Sequence, residues 1–121
     1  MCCCVLLCVF IWVFFDYGDL RLCLINTNVI QLNNYLSISV PNLMTSWNHI
    51  TVTISGLNIV VYLNGSFLLT STSSFVLYQN AIGYLGHSYS SSDTNYVGFM
   101  RSFKIFNTIL TASQVTDIYN Q

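Results

Sequence analysis

From residue 16 to residue 110 the chain is a succession of short apolar runs and alternations, each cut by Asn, Gly, Ser or Pro. Leu20, Leu22 and Leu24 alternate with Arg21 and Cys23, the period-two signature of a half-buried strand. Asn26-Thr27-Asn28 and Asn33-Asn34 punctuate as turns, and Tyr35 to Val40 is a further short strand closed by Pro41-Asn42. In 47–55, Ile50, Val52 and Ile54 share one face, while His49, Thr51 and Thr53 share the other, expected to point outward. Ser55-Gly56-Leu57-Asn58 reads as a reverse turn. Ile59 to Leu63, then Asn64-Gly65, then Ser66 to Leu69 predict a hairpin, because a type I′ turn needs positive φ at both central positions. Residues 70–78 and 87–96 read as loops or edge strands, and Val97 to Phe106 as a strand. One helix closes the chain. Thr111-Ala112-Ser113-Gln114 fits a capping box, and Val115, Ile118 and Tyr119 at i, i+3 and i+4 would pin one helix face to a sheet. Many short strands with a single terminal helix predict an all-β, antiparallel sandwich.

Residues 2–15 form an apolar run ending at Asp16. It is shorter than the roughly 20 residues of a membrane-spanning helix. It has the length of a signal-peptide core but lacks the positive start and small-residue cleavage site. Two readings of residues 1–15 stay open: a core strand, favoured by Val, Ile, Phe and Trp, or a signal-like or anchoring segment giving membrane contact. Residues 16–121 are then the remaining domain. All five cysteines fall at or before Cys23, so no disulfide can tie the C-terminal hundred residues together. Three of them are consecutive, which suits neither a disulfide framework nor zinc-ligand spacing.

Composition narrows the function. The chain has 121 residues, 54% hydrophobic and only 6% charged, and its net charge is −1. An ordinary soluble domain is about 25% charged. Clustered Lys and Arg are missing, so nucleic acid is not an expected partner. Eight Phe, eight Tyr and two Trp exclude a disordered chain.

Four segments together look like a known family. Trp47-Asn48-His49-Ile50-Thr51-Val52-Thr53 is similar to its strand opening. Val61-Tyr62-Leu63-Asn64-Gly65 is similar to its tyrosine strand and hairpin. Ile82-Gly83 follows, and then Gly98 through Ile105-Phe106-Asn107 with Leu110-Thr111-Ala112 and Val115 to Tyr119. In this order residues 47–119 resemble the C-terminal half of a laminin-G-like domain, within the concanavalin A-like jelly-roll lectin/glucanase superfamily. Phe15 to Leu32 continue the resemblance as two middle strands. The resemblance implies a jelly-roll β-sandwich, short of the family's N-terminal strands. It also implies non-catalytic recognition of glycan or protein ligands in an extracellular or cell-surface, adhesive setting. Where the family commonly carries acids after the closing-strand glycine, this chain has Arg101 and Ser102. A chain short of strands would leave unpaired edges, so the alternative function is a structural fragment that completes its sandwich with a partner chain or by self-association.

Glycoside hydrolysis needs two carboxyl groups about 5 Å apart, or somewhat further for inversion. The chain has no Glu, and the close pair Asp16 and Asp19 falls on opposite faces of a regular strand, so an enzyme is not expected. His49 reads as a strand histidine at the sheet surface. The loop His87-Ser88-Tyr89-Ser90-Ser91-Ser92-Asp93-Thr94-Asn95-Tyr96 is the candidate ligand-binding stretch. There His87, Tyr89, Asp93, Asn95 and Tyr96 combine amphipathic rings with adaptable polar groups. Calcium is the candidate cofactor, taking oxygens from Asp93 with Asn95, or from Asp16 with Asp19. Asn64-Gly65-Ser66 is a glycosylation sequon, although the turn already explains the Asn.

Overall fold

A computed structural model describes residues 2–8, 13–17, 20–26, 28–32, 36–42, 45–72, 83–85 and 99–121. The chain forms two compact units, one made of Met1–Cys8, Trp47–Ser74 and Met100–Gln121, the other of Val9–Ser46 and Phe75–Phe99. Ten strands and one helix are described: β1 Cys2–Cys8, β2 Val13–Tyr17, β3 Leu20–Asn26, β4 Val29–Leu32, β5 Leu36–Ser39, β6 Trp47–Ser55, β7 Asn58–Leu63, β8 Ser66–Thr72, β9 Gly83–Leu85, β10 Phe99–Phe106 and α1 Ala112–Tyr119.

The second unit is a sheet of order β5-β4-β3-β2-β9, with antiparallel register between neighbours. Ile30 lies opposite Ile38, and Ile30, Leu32, Ile38 and Val40 are buried. The amide of Val40 donates to the carbonyl of Asn28 at 2.7 Å, fastening the two ends of the β4–β5 pair. The apolar run 2–15 divides between the units: Cys2–Cys8 becomes β1 and Val13 opens β2.

The first unit carries the site. Its sheet has the order β10-β1-β6-β7-β8, and β1 pairs with β6 from Cys2↔Thr53 to Cys8↔Trp47. The predicted hairpin forms: Asn64 and Gly65 have φ of 51 and 78, and β7 and β8 run antiparallel with a bulge between Val61 and Tyr62. Both faces of β6 are buried, not one. Ile50, Val52 and Ile54 share a face with Ile59 and Val61 of β7, and all five are at most 5% exposed. His49, Thr51 and Thr53 on the opposite face are also nearly closed to solvent, so His49 is a buried residue and not a surface one.

On that face, Tyr62, Leu110 and Val115 form a buried cluster against which Val60, Phe106 and Ile118 pack. The helix is held there by its sequence. Thr111 Oγ1 accepts from the Gln114 amide at 3.2 Å, and Gln114 Oε1 accepts from the Thr111 amide at 2.8 Å, the reciprocal capping box. Val115 is fully buried, and Thr116 Oγ1 donates to the Gly65 carbonyl at 2.8 Å, tying helix to hairpin.

Candidate functional site

In the first unit, β6, β10 and the end of α1 enclose a cleft of about 600 Å³. Two strands supply its walls from non-adjacent positions, because β1 lies between β10 and β6. Strands two places apart are roughly 10 Å from one another, a gap that only long side chains bridge. Arg101 does so, its guanidinium carbon lying 4.4 Å from the centre of the Trp47 ring. At a partly exposed site such a contact contributes about 0.5–1 kcal/mol.

Along β10 the strand alternation breaks at Ser102, a non-glycine residue with φ of 55. Arg101 and Ser102 therefore both line the cleft, with Lys104 following two positions on. Two of the chain's three basic side chains thus line one cavity. Among the described residues no acidic side chain lines it, and neither cation has a carboxylate partner.

The opposite wall is the last turn of α1, where Ile118 and Tyr119 are followed by Asn120 and Gln121. Tyr119 is fixed from two sides. Its ring centre lies 5.7 Å from that of His49 with the planes tilted by 33°, and a Cβ built on Gly65 would stand 2.9 Å from its Cδ1. The hairpin turn therefore serves as the seat of Tyr119, and glycine is needed there for space as well as for φ.

His49 lies at the cleft floor, 3% exposed, and its Nδ1 has no hydrogen-bond partner among the described residues. Burial, and then the nearby Lys104 ammonium, hold its pKa below the ordinary imidazole value. Its backbone is clamped by Asn64, whose Oδ1 accepts from the His49 amide at 2.8 Å while its own amide donates to the His49 carbonyl at 2.7 Å. Asn64 Nδ2 donates to Asn48 Oδ1 at 3.3 Å. The sequon side chain is thus turned inward, and a glycan on Nδ2 would compete with the bond to Asn48.

Of the candidates named from sequence, Asn64 stands beside His49. His87, Tyr89, Asp93, Asn95, Tyr96 and Asp19 fall outside the described residues. Asp16 is on β2 of the second unit, opposite Arg21 and Tyr84. Among the described residues, no group of three His, Cys, Asp or Glu side chains could hold a metal ion. No helix among the described residues is long and apolar enough to cross a membrane. The cleft residues Trp47, Arg101, Lys104 and Tyr119 were not among the sequence candidates. The available signal was that two of three basic residues stand three positions apart in one strand.

Antiparallel sheets with one short terminal helix define an all-β protein of the jelly-roll sandwich class. A laminin-G family model of the concanavalin A-like lectin/glucanases superfamily matches residues 10–116, and the chain belongs to that family. No curated protein matches the sequence. Among solved structures the chain is similar to the crystal structure of the botulinum neurotoxin serotype D/C VPI 5993 binding domain, with a TM-score of 0.63 and 14% identity. The match covers 98% of this chain and 35% of that one, and at this identity the likeness is one of fold.

Proposed function

We propose that the protein is a non-catalytic recognition module, in an extracellular or cell-surface setting, that holds a glycan or protein ligand in the cleft between Trp47, Arg101, Lys104 and Tyr119. Membership of a lectin-like family and similarity to a structure titled a binding domain support the reading. The observation that carries it is the pairing of half-exposed rings with two cations that have no carboxylate partner among the described residues, all in one cavity. Trp47 and Tyr119 are each 43% exposed, so both rings present an amphipathic surface to a ligand in the cleft. A concave site with a few convergent polar groups is the usual form of a ligand pocket. A second candidate ligand-binding stretch is the Tyr- and Ser-rich segment 87–96, with calcium at Asp93 and Asn95, or at Asp16 and Asp19, as the proposed ion.

The test is binding of the full chain to arrayed glycans and extracellular proteins, compared with Trp47→Ala and Tyr119→Ala. Retained folding with lost binding is the expected result. Unchanged binding in both variants would move the site out of the cleft, with the loop as its next location.

A further inference from the structure

One turn gathers contacts from three elements. Asn64-Gly65 is the only Asn-Gly step in the sequence, and both residues hold positive φ, 51 and 78. The Asn64 amide head is fixed on β6: Oδ1 accepts from the His49 amide at 2.8 Å, and Nδ2 donates to Asn48 Oδ1 at 3.3 Å. The Asn64 backbone amide donates to the His49 carbonyl at 2.7 Å. From α1, Thr116 Oγ1 donates to the Gly65 carbonyl at 2.8 Å. The Tyr119 ring packs so closely on Gly65 that an added Cβ would stand 2.9 Å from its Cδ1. One dipeptide therefore pins β6, the β7–β8 hairpin and α1 together.

That dipeptide has a reaction of its own. An asparagine side-chain carbonyl is open to attack by the next backbone nitrogen when the following residue is glycine, which has no Cβ to shield it and few limits on its backbone. For the Gly65 nitrogen to close on Asn64 Cγ, the amide head must swing over residue 65 and the backbone between them must turn to fit a five-membered ring. The swing breaks both side-chain bonds to β6. Moving Gly65 works against its bond to Thr116 and the ring packed on it.

We propose that Asn64 is a deamidation site kept latent by this clamp, and that local opening of the turn converts it to isoaspartate, which unseats Tyr119. Water is the sole co-reactant and nothing is oxidised or reduced. The Gly65 nitrogen bonds to Asn64 Cγ, the Cγ–Nδ2 bond breaks, and Nδ2 leaves as ammonia with the Gly65 amide proton. Water then adds to one carbonyl of the cyclic imide. Opening at Cγ gives aspartate, and opening at the main-chain carbonyl gives isoaspartate, with the chain routed through Cγ. Both products lose the Nδ2 donor to Asn48. Isoaspartate also adds one methylene to the main chain, so a two-residue turn with the same pair of φ values no longer forms. The seat of Tyr119 is lost with that turn, whatever the cleft binds.

The experiment follows the full chain at neutral pH, folded in buffer and unfolded in guanidinium chloride. Peptide mass mapping locates the conversion at residue 64, and an isoaspartyl methyltransferase counts the isoaspartate. The folded chain should convert at least about tenfold more slowly than the unfolded chain, because attack waits for the turn to open. Asn48→Ala and Thr116→Val should each speed the folded-chain reaction roughly two- to tenfold, the factor of one net hydrogen bond. Tyr119→Ala, which touches no bond of Asn64, should act in the same direction and serves if either variant fails to fold. Unfolded, all of them should convert at the rate of the native sequence. In the purified isoaspartate form, nuclear Overhauser contacts between the His49 and Tyr119 rings should vanish, while those across the Val52↔Val61 pair of β6 and β7 remain. Equal rates in the folded and unfolded chains, or no conversion in either, would overturn the proposal. Folded-chain rates unchanged in every folded variant, or an isoaspartate form that keeps the His49–Tyr119 contacts, would overturn it as well.

Discussion

Gly65 and Tyr119 show how closely single residues set the site. At Gly65 an added Cβ meets the Tyr119 ring at 2.9 Å and the backbone has φ of 78, whereas Gly56, with φ of 57, has nothing within 4 Å. Gly65→Ala should therefore cost more stability than Gly56→Ala. The strained backbone is common to both, at about 1–3 kcal/mol, and the clash is added at Gly65 alone. Denaturant unfolding checks this, and in a Tyr119→Ala background the difference between the two glycines should shrink. His49 makes a prediction of opposite character. Its folded pKa lies below the unfolded value of about 6.5, so the unfolded chain binds the extra proton. The resulting contribution to stability is fully present above that value and is lost as pH falls through it towards the folded pKa. His49→Gln should accordingly reduce the fall in unfolding midpoint between about pH 7.5 and 5.5, measured against the native chain.

At the scale of elements, the helix positions one wall of the cleft, and its cap is short enough to test. Thr111→Ala removes the acceptor for the Gln114 amide and should cost about 1 kcal/mol. Because Tyr119 and Asn120 sit at the far end of the same eight-residue helix, ligand affinity should fall with helix stability, an effect seen by titrating the variant. The hairpin, the capping box and the strand 47–55 are legible in the sequence because each depends on neighbours within a few residues. The burial of His49, Thr51 and Thr53 is not legible, since the period-two pattern marks them as polar and α1, more than fifty positions away, covers part of that face. The run 2–15 contains no turn residue to mark where β1 ends and β2 begins. Val29–Leu32, a strand of only four residues, is too short for its alternation to stand out.

Over the whole molecule, charge is sparse and unevenly used. The net charge is −1, yet two of three basic side chains line the cleft. Arg101 and Ser102 occupy the places where the resembled family commonly carries acids, so the departure from the family's pattern falls on the cleft itself. The cleft could not be read from the sequence because its parts, at positions 47–49, 101–104 and 118–121, meet only when β10 and α1 are placed against β6. The N-terminal segment bears on integrity. β1 lies between β10 and β6, so a chain lacking residues 1–15 loses an interior strand and leaves two edges unpaired. Size-exclusion chromatography with light scattering should show that chain aggregating where the full chain stays soluble; a soluble monomer of 16–121 would show that β1 is dispensable.

The most direct test of the cleft as the ligand site is amide chemical-shift mapping of the full chain during titration with an array-selected ligand. Shifts should concentrate at Trp47 to His49, Arg101 to Lys104 and Ile118 to Gln121, the three segments that line the cavity. Shifts confined to residues 87–96, with those three segments unmoved, would contradict the account and place recognition in that Tyr- and Ser-rich segment.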